Sequence, residues 1–115
     1  MRWLFVGLLA WGPQSDPVTG VWVGQYTGHA GVENPIQLEL VLEVTRVVGF
    51  VVTEAEKVRI DNGSFEPSAG RIHFEVDYPA FKVRYIVDGI VKSGQLKGTW
   101  KHANDWGDFE LRLVR

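Results

Sequence analysis

From Thr19 to the C-terminus the chain alternates apolar and polar residues with a period of two, and no long stretch carries the period of a helix. IQLELVLEV, residues 36–44, sets Ile36, Leu38, Leu40, Leu42 and Val44 on one face and Gln37, Glu39 and Glu43 on the other. Successive side chains of a strand point to opposite faces, so this pattern predicts a half-buried strand. RIHFEV repeats it with Ile72, Phe74 and Val76 inward and His73 outward in solvent. FKVRYIV turns Phe81, Val83, Tyr85 and Val87 one way, and DFELRLV does so with Phe109, Leu111 and Leu113. Between the runs stand HAGVENP, EPSAG, DYPA, KSG and HANDWG, rich in the residues that turns require. TEAEKVR alone has helix-forming composition, and it is too short to sustain a helix.

The spacing predicts about eight strands, near 19–27, 35–44, 46–54, 57–66, 71–77, 81–88, 94–101 and 107–114. Within the fourth, DNG at 61–63 makes either a hairpin turn or a bulge. Short connections imply antiparallel neighbours, and an even number of strands can close into a single all-β, up-and-down antiparallel barrel with no exposed edge. A two-sheet β-sandwich is the alternative, although its topology usually needs longer crossings. In the barrel, loops 28–34, 54–57, 78–80 and 102–106 share one rim, the open end, and the termini of the domain lie at the other.

Glycine weakens strands, so VTGVWVGQYTG at 18–28 needs a reason for its glycines. Trp22 and Tyr26 point inward with Gly20 and Gly24; large inward rings need small inward neighbours, and closure needs sharp coiling. LKGTW repeats the device with Leu96, Gly98 and Trp100 on one face.

The 115 residues, of which 45% are apolar, suit one domain over residues 16–115. Residues 1–15 read as a signal peptide or N-terminal extension: WLFVGLLAWG is too short to cross a bilayer of about 30 Å but has the length of a signal-peptide core. That predicts a secreted or periplasmic protein. A net charge of −2 with no basic run argues against nucleic acid, and the absence of cysteine excludes disulfides and thiolate metal sites.

On these residues the chain resembles the lipocalin and avidin group. Gly20-x-Trp22 opens the first strand, a meander of eight strands follows, and a basic residue, Arg115, ends the last one. The resemblance implies that Arg115 covers Trp22 at the closed end. The chain is also similar to a small β-barrel module of secreted bacterial proteins, found alone or ahead of α/β-hydrolase domains. DPVTGVWVG at 16–24, LKGTW at 96–100 and GDFELRL at 107–113 carry that likeness over nearly all of residues 16–115. These motifs are mostly glycines and inward aromatics, so they specify fold better than ligand.

Catalytic signals are sparse. No nucleophile elbow occurs, and Ser64, Ser68 and Ser93 sit in turn-like contexts. Glu54, Glu56, Asp105 and Asp108 fall on or near the shared rim, where a carboxylate pair could form, but no motif requires it. His29, Glu33, His102, Asp105 and Trp106 are the rim candidates; loop polarity explains them more simply than a metal, and no metal or cofactor is expected. The inward aromatics Trp22, Tyr26, Phe74, Phe81, Tyr85, Trp100 and Phe109 are candidates to line an apolar pocket. The leading expectation is therefore a non-enzymatic, exported barrel that binds a small apolar or aromatic ligand near the open end. A structural or interaction module with a filled core, meeting a protein partner, is the alternative, and a small enzyme trails both. Burial arithmetic leans toward filling, since each large apolar side chain contributes about 1.5–3 kcal/mol and a small core has few.

Overall fold

The computed structural model describes residues 16–79 and 82–115. The first fifteen residues, where the signal-peptide expectation falls, and Phe81 lie outside the described residues. Eight strands follow one another: β1 (Gly20–Thr27), β2 (Glu33–Glu43), β3 (Arg46–Val52), β4 (Lys57–Glu66), β5 (Arg71–Tyr78), β6 (Val83–Lys92), β7 (Gln95–His102) and β8 (Asp105–Leu113). Each pairs antiparallel with the next, and β8 returns to β1 through Trp22↔Leu113 to Tyr26↔Phe109, so the sheet is a closed up-and-down barrel. The sandwich is excluded, because no strand is left with an unpaired edge.

Alternation places the core. Leu38, Leu40, Val47, Ile72, Phe74, Val76, Leu96 and Leu111 are buried inside, and no polar or charged residue is buried among the described residues. Val44 departs from the expected face. It sits in the turn between β2 and β3, 91% exposed, with φ of 64°. The chain has only Val44 and Thr45 with which to reverse direction, and that geometry overrides the alternation. DNG resolves as a bulge: the pairing of β4 with β5 slips between Asp61 and Ser64, and Asn62 takes φ of 51°.

Close approach between strands explains the glycines better than ring size does. A Cβ on Gly24 would run into the Glu110 carbonyl oxygen and stand 2.8 Å from Leu111 Cα, both backbone atoms of β8. At Gly98 it would meet the Asp88 carbonyl and lie 2.6 Å from Gly89 Cα. Both glycines therefore stand where neighbouring backbones crowd together to close the barrel.

The closed end is sealed by the DPVTG segment. Asp16 Oδ1 accepts hydrogen bonds from the Val18 and Thr19 amides (2.8 and 2.6 Å), and Oδ2 accepts one from the Thr19 hydroxyl (2.7 Å). The Thr19 hydroxyl oxygen in turn accepts the Leu42 amide at 2.9 Å. This turn lays Val18, fully buried, over the barrel bottom, where the Trp22 indole donates to the Val18 carbonyl at 2.9 Å. Arg115 reaches back and donates to the Asp16 carbonyl at 2.7 Å, so the two ends of the described chain meet there. Burial pushes the Asp16 pKa up, but the hydrogen bonds from Thr19 and Val18 outweigh it and hold the group below its ordinary value.

Outside, β4, β5 and β6 share a polar network. Arg84 bridges Asp61, Glu75 and Asp77 at 2.7–2.9 Å. His73 is not simply solvated: Nδ1 lies 2.7 Å from Asp88 and Nε2 2.8 Å from Glu75. Hydrogen bonds from His73, Arg84 and Asn62 bring the Glu75 pKa down to about 2. Burial lowers the His73 pKa, yet the bonds to Asp88 and Glu75 dominate and raise it above 6.5.

Candidate functional site

A cavity of about 530 Å³ opens at the end opposite Trp22. Four connections converge on it, through Gly28 and Asn34, Thr53 to Glu56, Tyr78, and Asp105. Short turns hold these loops, with the Gly28 amide donating to Val32 (2.8 Å) and the Thr53 amide to Glu56 (2.9 Å). Deeper in, the wall is Ile36 and Leu38 of β2, Val51 of β3, Phe74 and Val76 of β5, Val87 of β6, and Phe109 and Leu111 of β8.

The rings do not fill the interior. They gather on one arc and pack on one another: Tyr78 against Tyr85 with centroids 5.3 Å apart, Tyr85 against Trp100 at 5.7 Å, and Trp100 against Tyr26 at 6.3 Å. The facing arc, β2 and β3, carries the shorter Ile36, Leu38 and Val51, so space remains between the two. Such ring pairs are edge-to-face or tilted, the arrangements that aromatic quadrupoles favour. The Trp100 indole donates to the Thr27 carbonyl at 3.2 Å, which pins the ring at the end of β1.

Of the seven aromatic candidates, Tyr26, Phe74, Tyr85, Trp100 and Phe109 line the cavity. Trp22 does not, being buried in the closed end. Of the rim candidates, Asp105 is in the lining and His102 stands behind it, its ring 4.7 Å from Tyr85 and stacked at 6.2 Å on Trp100. His102 Nε2 lies 3.8 Å from Asp105 Oδ2. His29 belongs to the 3-10 turn His29–Gly31 between β1 and β2. Glu33 and Trp106 are exposed and do not line the cavity, and Trp106 is 70% exposed. Both fall on the outer parity of their strands, beside inward Asn34 and Asp105. Asn34, Tyr78, Glu54 and Glu56 also line the cavity and are not among the sequence's pocket candidates. Tyr78 shares the parity of Phe74 and Val76, a signal present in the sequence but hidden by the turn that follows it.

The charged residues in the lining are Glu54, Glu56 and Asp105, all acidic. Burial and then the nearby Glu56 carboxylate push the Tyr78 hydroxyl up to about 12. Burial, Tyr26 and Asp105 raise that of Tyr85. Glu54 and Glu56 are exposed at the mouth, and neither carboxylate pairs with another described residue. No three histidines or carboxylates converge as a metal site among the described residues.

No known family model matches the chain, and no curated protein does. Solved structures do. A redesigned β-barrel is similar over 86% of this chain and 92% of its own, with a TM-score of 0.67 and 9% identity. An abundant heat soluble (SAHS) protein from Ramazzottius varieornatus is similar over 88% of this chain and 98% of its own, with a TM-score of 0.57 and 9% identity. At such identity the likeness is one of fold: the chain is a closed eight-stranded barrel of lipocalin-like form.

Proposed function

We propose that this protein is a non-catalytic binding protein that holds a small apolar or aromatic molecule in the cavity at the open end. The observation that carries the reading is an interior space of about 530 Å³ walled by aromatic and aliphatic side chains and entered between four loops. That size falls in the range of ligand pockets, and pockets of this kind are mostly apolar with a few polar groups that orient the occupant. The tyrosine hydroxyls and Asn34 supply those groups. Glu54 and Glu56 stand in water with no base or nucleophile paired to them among the described residues, which favours binding over catalysis. The apolar run at residues 3–12 supports export, and the DPVTGVWVG and LKGTW motifs support kinship with the barrel module of secreted bacterial proteins. A protein partner is the second reading, favoured by Trp106 on the outside of the rim.

The test is titration of N-phenyl-1-naphthylamine, a neutral probe that brightens on leaving water. The parent protein is expected to bind it saturably with one site. Ile36→Trp, which plugs the cavity from the aliphatic arc, is expected to lose binding while keeping the parent's circular dichroism spectrum. Equal binding by the folded plugged variant would contradict the reading.

A further inference from the structure

Six aromatic rings and three carboxylates line the same space, and no lysine or arginine is in its lining among the described residues. Tyr26, Trp100, Tyr85 and Tyr78 form a continuous wall, each ring touching the next. The face of such a ring carries negative charge density and attracts cations. Glu54 and Glu56 stand at the mouth, and Asp105, also in the lining, lies beside His102. The nearest basic residue in sequence, Lys57, is turned to the outer wall, 3.1 Å from Glu39 and over the Phe50 ring. Lys82, in the turn after Tyr78, is exposed and outside the lining. The cavity is thus apolar in its depth and negative at its entrance.

We infer that the ligand is a cationic amphiphile, an alkyl or aromatic body carrying a quaternary or protonated ammonium group. This inference rests on the binding function proposed above and names the ligand class for that same cavity. The body would lie between the Ile36, Leu38 and Val51 arc and Phe74, where apolar burial supplies affinity. The ammonium would sit against the Tyr78, Tyr85 and Trp100 wall, with the mouth carboxylates completing its shell. A carboxylate of the same length would meet like charges there and the negative faces of the rings. Selectivity would therefore come from repulsion as well as attraction.

Three ligands with one alkyl chain separate the terms: decyltrimethylammonium, decanol and decanoate, each titrated by tryptophan fluorescence below its micellar concentration at low salt. The expected order is the cation tightest, by about tenfold over decanol, with decanoate weakest. The cation's advantage is expected to shrink as salt rises, because the mouth charges are screened. In Glu54→Gln/Glu56→Gln, two exposed substitutions that leave the core untouched, the affinity for decyltrimethylammonium is expected to fall toward that for decanol. If decanol binds the parent as tightly as the cation does, or the double variant keeps the full preference, the cationic class is overturned while the binding function stands. If none of the three binds, the binding function falls and the inference with it.

Discussion

Gly24→Ala tests the closure of the barrel, because local propensity and global geometry predict opposite signs for it. Alanine is the better residue for an ordinary backbone: it restricts the unfolded chain, a gain of about 0.4–1 kcal/mol where the native conformation tolerates it. Gly24 does not have a positive φ, so conformation alone forecasts a more stable protein. The structure forecasts the reverse. The new methyl would collide with the Glu110 carbonyl and lie 2.8 Å from Leu111 Cα, where real Cβ atoms are essentially never found closer than 3.0 Å. Both obstacles are backbone, so relief requires β8 to move away from β1 along the seam that closes the barrel. Overpacking of this kind costs about 1–3 kcal/mol, and with backbone rather than a side chain to displace, the upper part of that range applies. After the unfolded-state gain is subtracted, a net loss of about 2 kcal/mol remains, a fall in Tm of about 10 °C for a domain of this size. Gly28→Ala is the control: its backbone is extended (φ −95°), and an added Cβ meets nothing closer than 3.6 Å. Urea and thermal unfolding followed by tryptophan fluorescence would give both values. A Gly24→Ala protein as stable as its parent would refute the close contact between first and last strands.

Two further outcomes follow from strain and charge. Val44 holds a left-handed conformation that costs a β-branched residue about 1–2 kcal/mol and buries nothing in return, so Val44→Asn, which tolerates φ near 64°, is expected to raise stability by about 1 kcal/mol in urea unfolding. His73 has its pKa raised above 6.5 in the folded protein, so its contribution is fully present below that value and is lost as pH rises through the raised one. The stability advantage of the parent over His73→Gln should accordingly be larger at about pH 5.5 than at about pH 9, measured by thermal unfolding, and a flat or inverted difference would count against the clamp between Asp88 and Glu75.

How far the sequence reveals this arrangement depends on the range of the interaction that decides each feature. Strand count, barrel class and the inward set of Leu38, Phe74, Trp100 and Phe109 follow from alternation, which is local and strong. Parity also settles Trp106: once Phe109 is inward, Asp105 and Gly107 must be, and Trp106 must point out. Loop position puts Trp106 and Glu33 near the open end, and parity turns both side chains outward rather than into the cavity. Val44 shows the opposite failure, since alternation carried one residue past the strand end places a turn valine in the core. Whether the interior is filled was not legible, because the cavity arises from grouping Tyr78, Tyr85, Trp100 and Tyr26 on one arc, a matter of which distant strands become neighbours. The glycine motif is legible as a requirement of closure. Its physical source at Gly24, a carbonyl of β8 on the far side of the sequence, is not.

The central claim, a ligand cavity at one end of a barrel sealed at the other, is tested most directly by the two inward indoles. Trp100 borders the cavity and donates to Thr27, whereas Trp22 is fully buried under Val18 in the closed end. In proton–nitrogen correlation spectra of the labelled protein titrated with decanol, the Trp100 indole signal should shift saturably while that of Trp22 stays in place. Equal movement of both signals, or movement of neither at saturating ligand, would contradict the account.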